Sequence, residues 1–450
     1  MKKNDIVDIT ITGMTAEGNG VGRYNDLAVF VPMTAVGDTV KVRITKLLKS
    51  YAFGIVEEVL VPSDTRTEND CEAFRKCGGC AFRHISYNAE LEIKNSFVKD
   101  AFKRIGKIQA DMDDIVGCEN SDYYRNKAQY PVAEIDGKAV CGFYSKRSHR
   151  VVPFTACRLQ PKLFEDIVSF VINKVNENGI KAYDEQNHTG LLRHIYIRQA
   201  FNTNQTMVCF VVTKWCSDFD NIAKELIDSF SDIKSVVINK NSKQTNVILG
   251  EKCRTIAGSD TITDIMCGNK IELSPLSFYQ VNTRQAEKLY NIAREYAQLN
   301  GNEEIIDLYC GAGTIGLSFS HSVRKIIGVE IIPQAIENAK KNALLNNISN
   351  AEFYCGDAAD VAAKLAENNQ KPDVIIVDPP RKGCDNKTLD SIIKMSPEKV
   401  IMISCNPATA ARDCAYLSDN GYIVKKLRAV DLFPRTTHVE TVVLMSRADK

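Results

Sequence analysis

The chain has 450 residues, too many for one ordinary domain, with hydrophobic residues at 44% and charged residues at 25%, a balance that excludes a disordered or fibrous protein. A net charge of +1 excludes a uniformly basic nucleic-acid binder, so a polyanionic partner must be met by local patches: Lys41, Arg43, Lys46 and Lys49; Arg125 and Lys127; Lys146, Arg147 and Arg150. No run is apolar and long enough to span a bilayer, and the stretch from Met1 to Asp8 has acids where a secretory signal would be apolar, so a cytoplasmic protein with no membrane partner is expected.

Residues 1–62 alternate apolar and polar side chains over Ile6 to Thr12, Leu27 to Val31, Asp38 to Leu47 and Tyr51 to Val59, with a glycine-bearing turn from Ala16 to Gly22. Four or five short strands in this length predict a small closed barrel of the oligonucleotide-binding type, and the basic run Asp38 to Leu47 predicts nucleic acid as its ligand. Pro62 and Ser63 mark a linker into a mixed α+β segment, 63–275, in which Leu91 to Ile108 reads as a helix. That helical part is expected to pack on the segment that follows, and Met207 to Thr213, Ser235 to Asn239 and Thr245 to Leu249 read as strands.

From 276 to 450 strands and helices alternate regularly, with strands ending at Leu308, Val329, Gly356, Asp378 and Cys405 and two final strands, Tyr422 to Val430 and Val439 to Arg447. This is the pattern of an α/β, Rossmann-like doubly wound sheet, whose ligands lie along the carboxyl edge of the strands. The first strand runs into Gly311, Gly313 and Gly316, a G-x-G-x-x-G loop, with Glu330 at the end of the next strand where an acid would grip ribose hydroxyls. Asp307 before the loop, Asp357 and Asp378 favour S-adenosylmethionine, a cationic cofactor, over a pyrophosphate. A dinucleotide-dependent oxidoreductase remains the alternative use of the same loop.

Cys405 closes the apolar strand Lys399 to Ser404 just before Asn406 and Pro407, which is how a nucleophile is presented to a substrate. Among the 15 cysteines, Cys71, Cys77 and Cys80 have spacers of five and two residues that allow three thiolates to face one centre, with Cys157 the best fourth. All-thiolate ligation admits zinc or an iron-sulfur cluster, and the spacing does not separate them.

The segments Ser274 to Asn282, Asp307 to Gly316, Asp378-Pro379-Pro380-Arg381-Lys382-Gly383, Ser404-Cys405-Asn406-Pro407 and Thr437-His438-Val439-Glu440 resemble the S-adenosylmethionine-dependent RNA uridine-5 methyltransferases. The N-terminal barrel is similar to the TRAM domain of the ribosomal-RNA members. The resemblance implies Cys405 as nucleophile and Glu440 as general base. It also implies Gln280, Tyr309, Thr314, Glu330, Asp357 and Asp378 as cofactor-binding residues, and a 4Fe-4S cluster on Cys71, Cys77, Cys80 and Cys157. The expected enzyme is a monomer that makes 5-methyluridine in 23S ribosomal RNA, with no DNA partner; a transfer-RNA uridine is the alternative substrate. Arg435 departs from the resemblance, standing where many members have glutamine.

Overall fold

The computed structural model describes residues 1–448. The N-terminal strands Ile6–Met14, Asn19–Tyr24, Leu27–Pro32, Thr39–Leu47 and Tyr51–Val61 close into a five-stranded barrel. Its interior is the alternate apolar set Val7, Ile9, Ile11, Val29, Val31, Val40, Val42 and Ile44, all buried. Asn19–Tyr24 occupies part of the stretch expected as a turn, and its glycines serve close packing: a Cβ on Gly20 would lie 2.0 Å from Thr34 Oγ1.

Beyond the barrel, a seven-stranded sheet runs in the order Lys252–Gly258, Ile233–Lys240, Gln205–Val212, Leu192–Ala200, Lys127–Ile135, Lys138–Tyr144 and Val151–Pro153. The helices Lys162–Glu177 and Asp220–Ser229 cover one face through Phe164, Ile167, Val171, Ile222 and Leu226 against Ile195, Ile197, Val208 and Phe210. The stretch Thr245 to Leu249, expected as a strand, is irregular. Its carbonyls are taken by side chains: Asn241 donates to Val247 and Ile248, and Arg193 to Thr245.

The third layer is an eight-stranded sheet in the order Ala351–Cys355, Lys325–Glu330, Glu304–Leu308, Val374–Val377, Lys399–Ser404, Glu440–Arg447, Tyr422–Val430 and Met112–Val116. The first five strands are mutually parallel; the inner four are buried over most of their length because both faces are covered, while the edge strand Ala351–Cys355 is largely exposed. Glu440–Arg447 enters antiparallel between Lys399–Ser404 and Tyr422–Val430. The edge strand Met112–Val116 comes from the middle of the chain, and the helix before it, Tyr87–Ala101, packs on the same side with Val98, Ala101 and Phe102 in the core of this sheet. Ser86 caps that helix by accepting from Ala89 N, so it starts earlier than its apolar periodicity suggests, and it ends at Ala101 in a short π turn, Phe102–Gly106.

A fully buried charge cluster fixes this helix to the loop before the last strand. Lys94 Nζ donates to Glu90 Oε1 and Asp431 Oδ1, each at 2.7 Å, and to Phe433 O at 3.0 Å, while Tyr87 donates to Asp431 Oδ2 at 2.7 Å. Arg435 points inward to the same cluster, donating to Ile85 O and Ser121 Oγ and lying over the Tyr87 ring, so the residue that departs from the resemblance is a packing residue. Removing one member of a buried ion cluster leaves its partners uncompensated. Lys94→Met is expected to lower unfolding free energy by about 3–5 kcal/mol. Lys41→Met, in the exposed Lys41–Glu58 pair, should leave the urea midpoint near that of the wild type.

Candidate active site

The five parallel strands end along one rim. Glu304–Leu308 is buried throughout, and Asp307 Oδ2 accepts from Gly316 N at 2.9 Å, tying the strand to the helix Thr314–Ser318. Burial pushes the Asp307 carboxyl up to about 8. Asp307 therefore lies beneath the loop as a brace, where the sequence suggested a contact with a cationic cofactor. Tyr309, Gly311 and Gly313 all have left-handed backbones, with φ of 69°, 54° and 80°. Nothing lies within 4 Å of the Cβ position of Gly311, so the backbone there is open to a close ligand. Gly311 N donates to Glu330 Oε2 at 3.2 Å and Ile332 N to Glu330 Oε1 at 2.9 Å. The loop and the expected ribose-binding acid are thus one unit.

Tyr290, on the helix Thr283–Ala297, gathers the neighbouring groups. Its buried phenol lies 3.4 Å from Thr314 Oγ1; burial raises its pKa, with Asp378 near enough to raise it further and Gln280 near enough to lower it. Asn126 of the central sheet holds the Gln280 backbone, donating to its carbonyl at 2.8 Å and to Thr283 Oγ1 at 3.0 Å. Burial raises Asp378 to about 7. Tyr309 turns its hydroxyl to within 3.4 Å of Thr388 Oγ1. Asp357 is exposed at the end of the adjoining strand and caps the helix Ala358–Glu367 through Ala359 N. Gln280, Thr314 and Asp378 therefore surround one tyrosine, Glu330 and Tyr309 belong to the glycine loop, and Asp357 stands further along the rim.

Cys405 follows the buried strand Lys399–Ser404. Asn406 fixes the turn by capping the helix Pro407–Asp419 through Ala408 N and donating to Arg381 O at 3.0 Å. Ser404 pairs with Thr441 across the antiparallel ladder, so the register sets Glu440 opposite Cys405. Glu440 is 4% exposed. Burial, reinforced by Asp378 and opposed by Arg381, pushes its carboxyl up to about 8. The Cys405 thiol is raised by burial, Glu440 and Asp378, and lowered by Arg381. Arg381 also lies 3.0 Å from the ring nitrogens of His438, which burial and surrounding cations hold neutral at about 4. A cavity of about 670 Å³ opens above the thiol, walled by Met14 and Glu17 of the barrel, Phe97, Arg104, Arg381 and Thr437. Sequence reasoning missed Arg381, Tyr290 and Asn126 as site-forming residues; only Arg381 left a signal, as the residue after Asp378-Pro379-Pro380.

The structure places the other four cysteines as neighbours without closing them into a ligand shell. Cys71 raises the pKa of Cys77, Cys77 that of Cys80, and Cys80 and Cys77 that of Cys157. Yet among the described residues no three Cys, His, Asp or Glu side chains group closely enough to hold one ion. The donor set remains all-thiolate, with Arg83 and Arg125 beside it to offset negative charge.

The rim does fit S-adenosylmethionine: an open glycine cradle, with acids at successive strand ends that suit a cationic cofactor. Such a rim over a doubly wound sheet defines a methyltransferase. Residues 86–448 match the family described as tRNA (Uracil-5-)-methyltransferase, and residues 2–56 match the TRAM domain. An uncharacterized RNA methyltransferase of Clostridium tetani is 41% identical over 447 residues, covering 99% of this chain and 97% of that protein. Another, of Listeria monocytogenes serotype 4b, is 41% identical over 446 residues, covering 99% and 98%. The crystal structure of Pyrococcus abyssi tRNA (uracil-54, C5)-methyltransferase in complex with S-adenosyl-L-homocysteine has the same fold, with a TM-score of 0.78 over 98% of this chain and 100% of that one at 24% identity. The chain belongs to the S-adenosylmethionine-dependent RNA uracil-5-methyltransferase family.

Because Glu440 raises the Cys405 thiol, Glu440→Gln should move the pH dependence of Cys405 alkylation by iodoacetamide to lower pH, and Arg381→Ala should move it higher. Mass spectrometry of the Cys405 peptide reads both shifts.

Proposed function

We propose that this enzyme transfers a methyl group to carbon-5 of a uridine in 23S ribosomal RNA, with Cys405 as nucleophile and Glu440 as base. The observation that carries the reading is the register that sets a buried carboxyl opposite a thiol at the mouth of the cofactor rim. Carbon-5 of uracil is too weak a nucleophile to take a methyl group unaided. A thiolate from Cys405 adds to carbon-6, and the electron pair pushed onto carbon-5 makes it nucleophilic. S-adenosylmethionine, when bound, supplies the methyl as an electrophile. Glu440 then takes the proton from carbon-5, and the electrons left behind re-form the 5,6 double bond as the thiolate departs. The proton leaves with Glu440 and the thiolate is regenerated.

Arg381 has two parts in this scheme. Its charge favours the Cys405 thiolate and partly offsets the mutual repulsion of Cys405, Glu440 and Asp378. The cavity above the thiol is open to the barrel, so the uridine reaches it extruded from its stack. Glu440 must lose its proton to act, so multiple turnover, which needs release of the adduct, should rise with pH through about 8.

The barrel and the cysteine set support ribosomal RNA, because the resemblance ties both to ribosomal members. A transfer-RNA substrate is the second reading, favoured by the end-to-end fold match with an enzyme described as acting on tRNA. Mapping labelled methyl groups on total RNA from cells with and without the gene separates the two. We further propose that Cys71, Cys77, Cys80 and Cys157 hold the 4Fe-4S cluster. Support comes from the all-thiolate donor set, its electrostatic proximity and the adjacent arginines. Iron and acid-labile sulfide in protein purified without oxygen are expected in the wild type and lost in Cys80→Ser.

Two substitutions test the mechanism. Cys405→Ala should reduce transfer below detection. Glu440→Gln should still methylate but accumulate a covalent protein–RNA adduct, seen as a band shifted on denaturing gels; normal turnover by Glu440→Gln sinks the base assignment.

A further inference from the structure

The face of the central sheet that meets the active-site motif continues into a separate cavity. Arg198, Tyr196 and His194 pair with Lys127, Gln129 and Pro131, and strand alternation puts Arg198, Tyr196 and His194 on one face. Arg198 donates to the carbonyls of Ser274 at 2.9 Å and Ser277 at 2.7 Å, just before Gln280. Four residues back, about 13 Å along the strand, His194 lines a cavity of about 940 Å³.

The lining of this cavity is unlike that of the site at Cys405. Tyr144 stacks on His149 with centroids 5.1 Å apart and planes at 24°, and the Arg193 guanidinium lies 4.6 Å above the Tyr183 ring. Glu185 binds His149 Nδ1 at 2.7 Å and accepts from Tyr144 at 3.5 Å. His194 is 4% exposed; its Nε2 lies 3.4 Å from the Tyr144 hydroxyl, and its Nδ1 has no hydrogen-bond partner. Burial and Arg193 keep the ring neutral, at about 4. A buried, unpartnered ring nitrogen is costly unless a ligand meets it. Outside the cavity, Lys146 and Arg147 are exposed on the hairpin that follows Tyr144, and Arg150 of the same hairpin lines the cavity itself.

We propose that this cavity binds a second unstacked nucleobase of the RNA substrate, one that bears an exocyclic amine, a few nucleotides from the uridine to be modified. The proposal rests on the RNA reading above. Flat aromatic and guanidinium surfaces are what single-stranded bases stack on. Glu185 and Asp184 stand in the lining beside Arg150, Lys181 and Arg193; the carboxylates accept from an amine, so the base enters while the hairpin's cations hold the backbone. Adenine, cytosine and guanine qualify; uracil does not.

Anisotropy titrations with fluorescein-labelled oligoadenylate, oligouridylate and heparin test this on the full chain. Tyr183→Leu and His149→Ala alter side chains at the cavity wall, remote from Cys405. Each should weaken oligoadenylate binding about tenfold, leave heparin binding unchanged and affect oligouridylate little. In methyl transfer the same variants should raise KM with kcat unchanged. Unchanged oligoadenylate affinity, or an equal loss on heparin, overturns the proposal; an equal loss on oligouridylate overturns the amine preference. The titrations need no turnover, so a wild type that methylates no RNA would contradict the proposed function without deciding the cavity.

Discussion

The site depends on one strand running the wrong way. In a wholly parallel sheet, every residue at the carboxyl rim is the last of its strand, and each helix must return the chain before another can be added. Glu440–Arg447 breaks that rule by entering antiparallel beside Lys399–Ser404, so the first residue of one strand meets the residue after the last of the other. Slippage by one position would turn Glu440 to the opposite face. The register is held from several directions: Lys94 and Tyr87 grip Asp431, Asn282 donates to Leu432 O, and Gln285 to Asp431 O. Helix Tyr87–Ala101 therefore serves the catalytic geometry as well as walling the cavity at Cys405 through Phe97, and the Ser274 to Asn282 motif serves that geometry without lining the cavity.

Concentrating acids at one rim has an electrostatic cost. Asp307, Asp378 and Glu440 are all raised by burial, and Asp378 raises Asp307 and Glu440 further. Burial thus favours the protonated form of Glu440, and Arg381 acts in the opposite sense on thiol and carboxyl together. The arrangement suits a reaction in which a thiolate, a carbanion-like carbon and a carboxylate succeed one another rather than coexist. Addition moves the negative charge from the thiolate onto the ring, methyl transfer removes it, and the one proton that moves passes from carbon-5 to Glu440.

Much of this was legible in the sequence because strand ends carry the chemistry. The glycine loop, Asp378 and Cys405 each close an apolar run, and those runs are visible without a structure. Glu440 needed the topology as well, and the short loop before it supplied that. What stayed hidden was whatever a side chain did for backbone far away in sequence. Asn19–Tyr24 looked like a turn because barrel packing and turns both ask for glycine. Thr245 to Leu249 looked like a strand, yet Asn241 and Arg193 satisfy its carbonyls in place of a neighbour. Met112–Val116 is too short and acidic to announce its pairing with Tyr422–Val430. Tyr290 looked like one more apolar position on an amphipathic helix, although its hydroxyl collects Gln280 and Thr314.

Isotope release tests most directly whether methylation replaces the hydrogen on carbon-5 of uridine through a Cys405 adduct. RNA carrying tritium at carbon-5 of its uridines is incubated with enzyme and S-adenosylmethionine, and tritium in water is counted against methyl groups incorporated. The account predicts one tritium released for each methyl transferred, and none with Cys405→Ala. Methyl incorporation without matching tritium release would place the methyl on another atom and contradict it.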